Sequence, residues 1–244
     1  MSGATGTIHG VGLGPGDPDL MSLRAHRLVT NARHVAYFRK EGRAGRARGM
    51  VEGMLAPDAV EFAMEYPVTT EIPVSHPEYN ATLSAFYTDC TDHLRKLADS
   101  GEDVVVLCEG DPFFYGSFMH LYTRLKDAVP VLVVPATTGM SAAWTATGRP
   151  ITWGDDVLSV LMATLPEADL VRHMQAADAL VVMKIGRNID KLRRALRAAG
   201  KYDAAWLVEY AAMEGQTVQK LSDTEGRVTP YFSIIVVHGN GRRP

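Results

Sequence analysis

Glycines at Gly10, Gly12, Gly14 and Gly16 crowd the stretch IHGVGLGPGDPDLMSLRA, Ile8 to Ala25, and form a loop whose backbone a ligand can approach closely. The ligand is not a dinucleotide held by a G-x-G-x-x-G fingerprint, because one register puts Pro15 and the other Asp17 in the third glycine's place. A second chemistry-bearing stretch is VVVLCEGDPFFYGSFMHLYTRL, where an apolar strand pattern runs into Glu109, Gly110, Asp111 and Pro112. Open α/β sheets bind ligands at the carboxyl ends of their strands. Asp111 there can accept hydrogen bonds from an amine or a ribose, or can simply serve a Gly-Asp-Pro turn. Ser117 is positioned to cap the helix that follows.

A third stretch, VVPATTGMSAAWTATG, also follows an apolar strand, and Gly139, Ser141 and Ala143 imitate a G-x-S-x-G nucleophile elbow. A hydrolase would need a histidine after Ser141, and only His173 and His238 follow it, in a polar helix and at the end of the last strand pattern. The histidines show no HExxH or CxxC spacing, so no metal site is expected. The fourth feature is basic: FRKEGRAGRAR carries Arg39, Lys40, Arg43, Arg46 and Arg48 against Glu41 alone. If this segment is helical, Arg39, Arg43 and Arg46 share one face.

These loops need elements to carry them, and alternation of short apolar runs with amphipathic patterns points to a mostly parallel sheet covered by helices. Strands are expected at 7–11, 33–38, 59–64, 103–108 and 129–134. A long helix is expected over Pro77 to Ser100, ended by Gly101, and Ser22 should cap a shorter one. Gly148, Pro150 and Gly154 in TATGRPITWGDD suggest a junction, giving domains 1–148 and 149–244. Strands of the second domain are expected at 157–162, 179–184, 204–210, 217–221 and 231–238, the last three antiparallel.

With 244 residues, 46% hydrophobic, the chain can bury a large core, and a net charge of -3 gives no global reason to bind nucleic acid or an anionic membrane. No stretch approaches the roughly 18 apolar residues of a membrane span. The only cysteines, Cys90 and Cys108, fall in core patterns, so two buried thiols in a cytoplasmic protein are expected. A dinucleotide oxidoreductase would want an acid about 20 residues after the glycine loop, and ARHVAYFRK has none.

Taken together, GVGLGPGDPDLMSLRA, EGDPFFYG and VVPATTG resemble the tetrapyrrole methylases, which use S-adenosylmethionine and carry Gly-x-Gly-Pro-Gly-Asp and Gly-Asp-Pro motifs in that order. ALVVMKIGRN and VEYAAMEGQTV are similar to that family's two C-terminal cofactor segments, so the resemblance covers nearly the whole chain. MEYPVTTE and DPFFYGSFMHLYTRL are most similar to members that methylate carbon 20 of precorrin-2. The resemblance implies two α/β domains, the N-terminal one with a mostly parallel sheet and the C-terminal one mixed, the cofactor between them, and a homodimer. It assigns the cofactor to Pro15, Glu109, Gly110, Asp111, Phe114, Thr138, Gly139, Met183, Lys184, Ala211 and Ala212.

The implied substrate is a polycarboxylate tetrapyrrole, for which Arg39, Lys40, Arg43 and Arg46 are the candidate partners, since arginine suits bidentate carboxylate recognition. Replacing a ring hydrogen releases a proton, and Asp17, Glu109 and Tyr115 are candidate acceptors beside water or a substrate carboxylate. The chain departs from the family pattern at Glu109, where glycine is frequent, at Ala136, where glycine is usual, and at AAMEGQ, which replaces a Gly-Thr step. Metal-free precorrin-2, its cobalt-loaded analogue, another corrin position and a non-catalytic tetrapyrrole-binding role all stay open at this level.

Overall fold

The computed structural model describes residues 4–68 and 76–243. Thr69, Thr70 and Glu71, the end of MEYPVTTE, lie outside them. The chain divides into two compact units after Thr138. In the first, the order is β1 (Ile8–Gly12), α1 (Leu23–Thr30), β2 (His34–Lys40), α2 (Arg46–Met50), β3 (Val60–Tyr66), α3 (Pro77–Asp99), β4 (Val104–Cys108), α4 (Phe118–Leu125) and β5 (Val131–Val134). All five strands are parallel, in the order β3-β2-β4-β1-β5.

Both faces of this sheet are covered, which is why every residue of β4 is buried. Val104, Val106 and Cys108 join one core with Tyr87, Cys90, Leu94 and Ala98 of α3 and with Phe118 and Leu121 of α4. Val105 and Leu107, pointing the other way, meet Ala25 and Val29 of α1 and Ala47 of α2. Ser22 caps α1 by accepting from the Ala25 amide at 3.1 Å. Gly10 serves packing, because a Cβ there would lie 2.2 Å from the Phe118 ring.

In the second unit, α5 (Gly139–Ala146) precedes β6 (Leu158–Met162), α6 (Glu167–Ala176), β7 (Ala179–Met183), α7 (Ile189–Ala198), β8 (Ala205–Glu209), β9 (Thr217–Lys220) and β10 (Ser233–Val237). The sheet order is β6-β7-β10-β8-β9, with β6 and β7 parallel and β10 antiparallel to both β7 and β8. The sheet is therefore mixed, and β8, β9 and β10 are mutually antiparallel where paired. Helices α6 and α7 cover one face through Leu170, Met174, Leu192 and Leu196. On the other, Ala143 of α5 packs with Val208 and Val236.

That last contact explains why the division comes after Thr138, before the glycine and proline signals at Gly148 and Pro150: α5 belongs to the second sheet. All ten expected strands are present, with ends displaced by at most two residues. Two local expectations are corrected. The basic segment is not one helix, since Arg39 and Lys40 end β2, Gly42 turns at φ 69°, and α2 opens only at Arg46. Ser117 does not cap α4; its hydroxyl instead accepts a hydrogen bond from the Tyr66 phenol.

Candidate functional site

Because β1 lies between β4 and β5 and all three are parallel, the three ligand-type loops leave the same sheet edge side by side. Their backbones touch. The Leu13 amide donates to Cys108 O at 2.9 Å, and the Gly110 amide to Gly14 O at 2.8 Å. A Cβ on Gly12 would lie within 2.7 to 2.9 Å of Ala136 Cβ, Gly110 O and Pro112 Cδ, so only glycine permits this junction. Gly14 and Gly110 take φ of 92° and 67°, a region costly for other residues. Pro15 is buried beside them, whereas Asp17 is exposed and its carboxylate accepts from the Asp19 amide at 2.9 Å.

Asp111 ties the loops together. Its Oδ1 accepts from the Phe113 amide and its Oδ2 from the Ala136 amide, each at 2.9 Å. The second bond runs from the β5 loop to the β4 loop, and it uses a backbone N–H, so alanine serves at 136 as well as glycine. Phe114 is half-buried with its ring against Tyr115, and Thr138 and Gly139 are half-buried. Glu109 stands at the root of the β4 loop, 3.6 Å from Arg46 Nε. Burial raises the Glu109 pKa above its ordinary value, with Arg46 pulling against that shift.

The basic segment is less uniform than its charge count. Arg39 pairs with Glu65 at 2.5 Å, the residue opposite it in the β2–β3 register. Arg48 is held by Glu61 at 2.7 Å and Glu52 at 2.9 Å. Lys40 is half-buried at the end of β2. Arg43 is exposed in the turn, without a side-chain partner among the described residues.

In the second unit, β7 and β8 run in the same direction on either side of β10, so Met183 at the end of β7 with Lys184 after it, and Ala211 with Ala212 after β8, come at the same end of the sheet. Lys184, Tyr210 and Ala212 have φ of 55°, 54° and 56°. With Tyr115 at 54°, they are the non-glycine residues in the left-handed region among the described residues. Such strain concentrates at functional loops. The AAMEGQ departure thus keeps a left-handed backbone without glycine, and the Ala212 amide is satisfied by Gln216 Oε1 at 2.8 Å.

Sequence reasoning missed the carboxylate of Glu209 at the end of β8, 5% exposed and bound to Arg227 and Thr217. The nucleophile-elbow reading gains nothing: His238 spends its ring nitrogens on Pro150 O and Thr147 Oγ1, both at 2.9 Å, and His173 lies in the last turn of α6. Among the described residues, no group of three or more His, Cys, Asp or Glu could hold a metal ion, and Cys90 and Cys108 are buried and unpaired.

A parallel sheet with three glycine- and proline-bearing loops joined at one edge, followed by a mixed sheet with strained loops, defines a two-unit α/β protein of ligand-binding type. The chain matches the Tetrapyrrole (Corrin/Porphyrin) Methylases over residues 7–224 and belongs to that family. It is 44% identical over 245 residues to a precorrin-2 C(20)-methyltransferase of Sinorhizobium sp, covering 100% of both chains. It is 24% identical over 236 residues to a cobalt-precorrin-2 C(20)-methyltransferase of Salmonella typhimurium, covering 96% of each. The fold also matches a uroporphyrin-III C-methyl transferase from Thermus thermophilus complexed with S-adenyl homocysteine, with TM-score 0.64, 24% identity, and coverage of 96% of this chain and 92% of that one.

The two carboxylates of the first unit have distinguishable consequences. Asp111→Leu orphans the half-buried Ala136 amide at a cost of about 1 to 3 kcal/mol, while the exposed Phe113 amide is taken up by water. Denaturant unfolding is expected to register that loss, and an unchanged midpoint would remove Asp111 from the role of brace.

Glu109, with its folded-state pKa above the ordinary 4.5, holds a proton more tightly in the folded protein than in the unfolded chain. Its contribution to stability is fully present below the unfolded value and lost as pH rises through the folded one. Acidification through the range just above 4.5 should therefore stabilise the natural chain relative to Glu109→Gln. Parallel stability–pH curves for the two proteins would show that burial of Glu109 has no such effect.

Proposed function

We propose that the chain methylates carbon 20 of precorrin-2, giving precorrin-3A in cobalamin biosynthesis, with S-adenosylmethionine as methyl donor. The observation that carries this reading is the 44% identity to a precorrin-2 C(20)-methyltransferase, sustained over the full length of both chains. The cofactor residues in this proposal are Pro15, Glu109, Gly110, Phe114 and Thr138 of the first unit and Gly139, Met183, Lys184, Ala211 and Ala212 of the second. Asp111 holds two of these loops together and so acts on the cofactor through them. The fit is supported at Gly110, where a Cβ would meet no atom within 4 Å although the loop backbones are bridged beside it. The cofactor supplies an electrophilic sulfonium methyl group. What remains for the protein is a fixed approach and exclusion of water, and positioning alone is worth roughly 7 to 11 kcal/mol.

Carbon 20 gives its electron pair to the new bond and must then release a proton. Of the three candidate acceptors, Glu109 is best suited: Asp17 is exposed and committed to a turn amide, and Tyr115 is exposed, whereas burial makes Glu109 a stronger base than a surface carboxylate. Arg43 and Arg46 are the proposed partners of the substrate carboxylates. Arg39 is already engaged by Glu65, and Lys40 stands next to it at the end of β2. We further propose a cytoplasmic homodimer, on the family resemblance and the two buried unpaired thiols. No helix among the described residues is long and apolar enough to cross a membrane.

One pair of incubations tests the substrate. With S-adenosylmethionine, mass spectrometry should find one added methyl group on metal-free precorrin-2 and little on the cobalt-loaded ring. The opposite preference would transfer the reading to the cobalt substrate, and inertness toward both would end it.

A second measurement separates substrate from cofactor recognition. Arg43→Gln with Arg46→Gln should raise the tetrapyrrole KM by roughly two- to five-fold per arginine and leave cofactor affinity nearly unchanged. Added salt should mimic the effect, since exposed charges are screened over about 8 to 10 Å at physiological ionic strength. A KM indifferent to both changes would mean that the segment is a solvated turn.

A further inference from the structure

The stretch between β9 and β10 belongs to none of the motifs above, yet it contacts the ends of two separate strands of the second unit. Arg227 Nη2 lies 2.5 Å from both carboxylate oxygens of Glu209, the last residue of β8. Two residues on, Thr229 Oγ1 donates to Gly186 O at 3.1 Å, in the loop after β7. Thr229 is 5% exposed, so this bond is made inside the unit. The same stretch then turns into β10: the Tyr210 amide donates to Phe232 O at 2.8 Å, and Ser233 Oγ to Pro230 O at 2.7 Å.

The topology gives these bonds their meaning. Strands β7 and β8 do not pair with each other, since β10 lies between them. Their following loops carry Lys184, Tyr210 and Ala212 in left-handed conformations that are not self-sustaining. Something must hold both loops, and residues 227–229 reach the root of one and the glycine of the other. We propose that Arg227 and Thr229 are positioning residues, a strap that keeps the two cofactor loops of the second unit in their binding conformation. This inference rests on the reading that those loops bind S-adenosylmethionine.

The pair joins a buried carboxylate at the end of β8 to a half-exposed guanidinium, so position and stability are both at stake and the test must separate them. Glu209 is buried and needs a partner, while Arg227 keeps 44% of its side chain exposed, so the pair holds the loop end at the surface of the unit and its loss also costs stability. Without Arg227, the Glu209 carboxylate retains the Thr217 hydroxyl at 2.9 Å but loses its opposite charge. Thr229→Val is the milder change, removing one hydroxyl at nearly constant shape.

The test is calorimetric binding of S-adenosylhomocysteine to the full chain and to Arg227→Gln, Arg227→Lys and Thr229→Val, with amide hydrogen exchange of the ligand-free proteins. If the binding-competent population falls to about a tenth, Kd rises about tenfold in the Gln and Val variants. Exchange should quicken at 184–188 and 209–213 while residues 8–12 and 104–108 keep their protection. Arg227→Lys, which retains the charge, should recover most of the affinity, and the local pattern of exchange, with residues 8–12 and 104–108 still protected, is what separates the strap from a general loss of stability. Unchanged Kd and unchanged local exchange in both variants would overturn the strap, as would a uniform loss of protection across both units. If the natural chain does not bind S-adenosylhomocysteine, the cofactor reading fails, and the exchange data still decide whether residues 227–229 hold the two loops.

Discussion

The backbone junction between Gly14 and Gly110 is the constraint on which the first unit's site depends. Parallel strands need long crossovers, and the order β3-β2-β4-β1-β5 brings the ends of β4, β1 and β5 together although they are far apart in sequence. Adjacent ends alone would leave three loops free to diverge. The 2.8 Å bond from the Gly110 amide to Gly14 O, the left-handed φ at both glycines, and the absence of any Cβ at Gly12 allow the three backbones to close on one another. The amide of Ala136 is then collected by Asp111, so the third loop is bound to the second. Each part of the junction presupposes the others.

The second unit meets a related demand by different means. Its loops after β7 and β8 are held by a neighbouring segment and by a buried carboxylate, Glu209, in place of bridged glycines. Asp111 and Glu209 make an informative pair. Asp111 is half-buried and accepts neutral backbone amides, whereas Glu209 is 5% exposed and is matched by a guanidinium. That difference follows from desolvation: a carboxylate taken further from water requires an opposite charge in addition to hydrogen bonds.

What could be read from residues alone follows the same physics. Strand positions and the loops at their ends were legible because apolar runs and glycine or proline punctuation are local properties. The inward use of Asp111 was not, since Gly-Asp-Pro reads the same whether its carboxylate faces a ligand or the Ala136 amide 25 residues away. Counting charges in FRKEGRAGRAR likewise missed Glu61 and Glu65, which β3 brings beside Arg48 and Arg39 from 13 and 26 positions away. The helical face imagined for that segment failed at Gly42, where a left-handed turn ends the strand. Residues 227–229 carried no signal at all, because Arg-Val-Thr between strands has the composition of any loop.

Pairing of Arg39 and Arg48 also sharpens the electrostatic argument. A segment with five basic residues keeps only part of its field once Glu65, Glu61 and Glu52 neutralise its two ends. Lys40, Arg43 and Arg46 lie between those two ends, and Arg46 lies 3.6 Å from Glu109 at the root of the Gly-Asp-Pro loop. An anionic group drawn to Arg46 would therefore compete with Glu109 for the same guanidinium. As the anion took more of that charge, Arg46 would stabilise the Glu109 carboxylate less, and burial would raise its basicity further. In the proposed reading, carboxylate binding and proton acceptance would thus be coupled through this one arginine, and glycine at position 109 would remove the acceptor and leave Arg46 to the substrate alone.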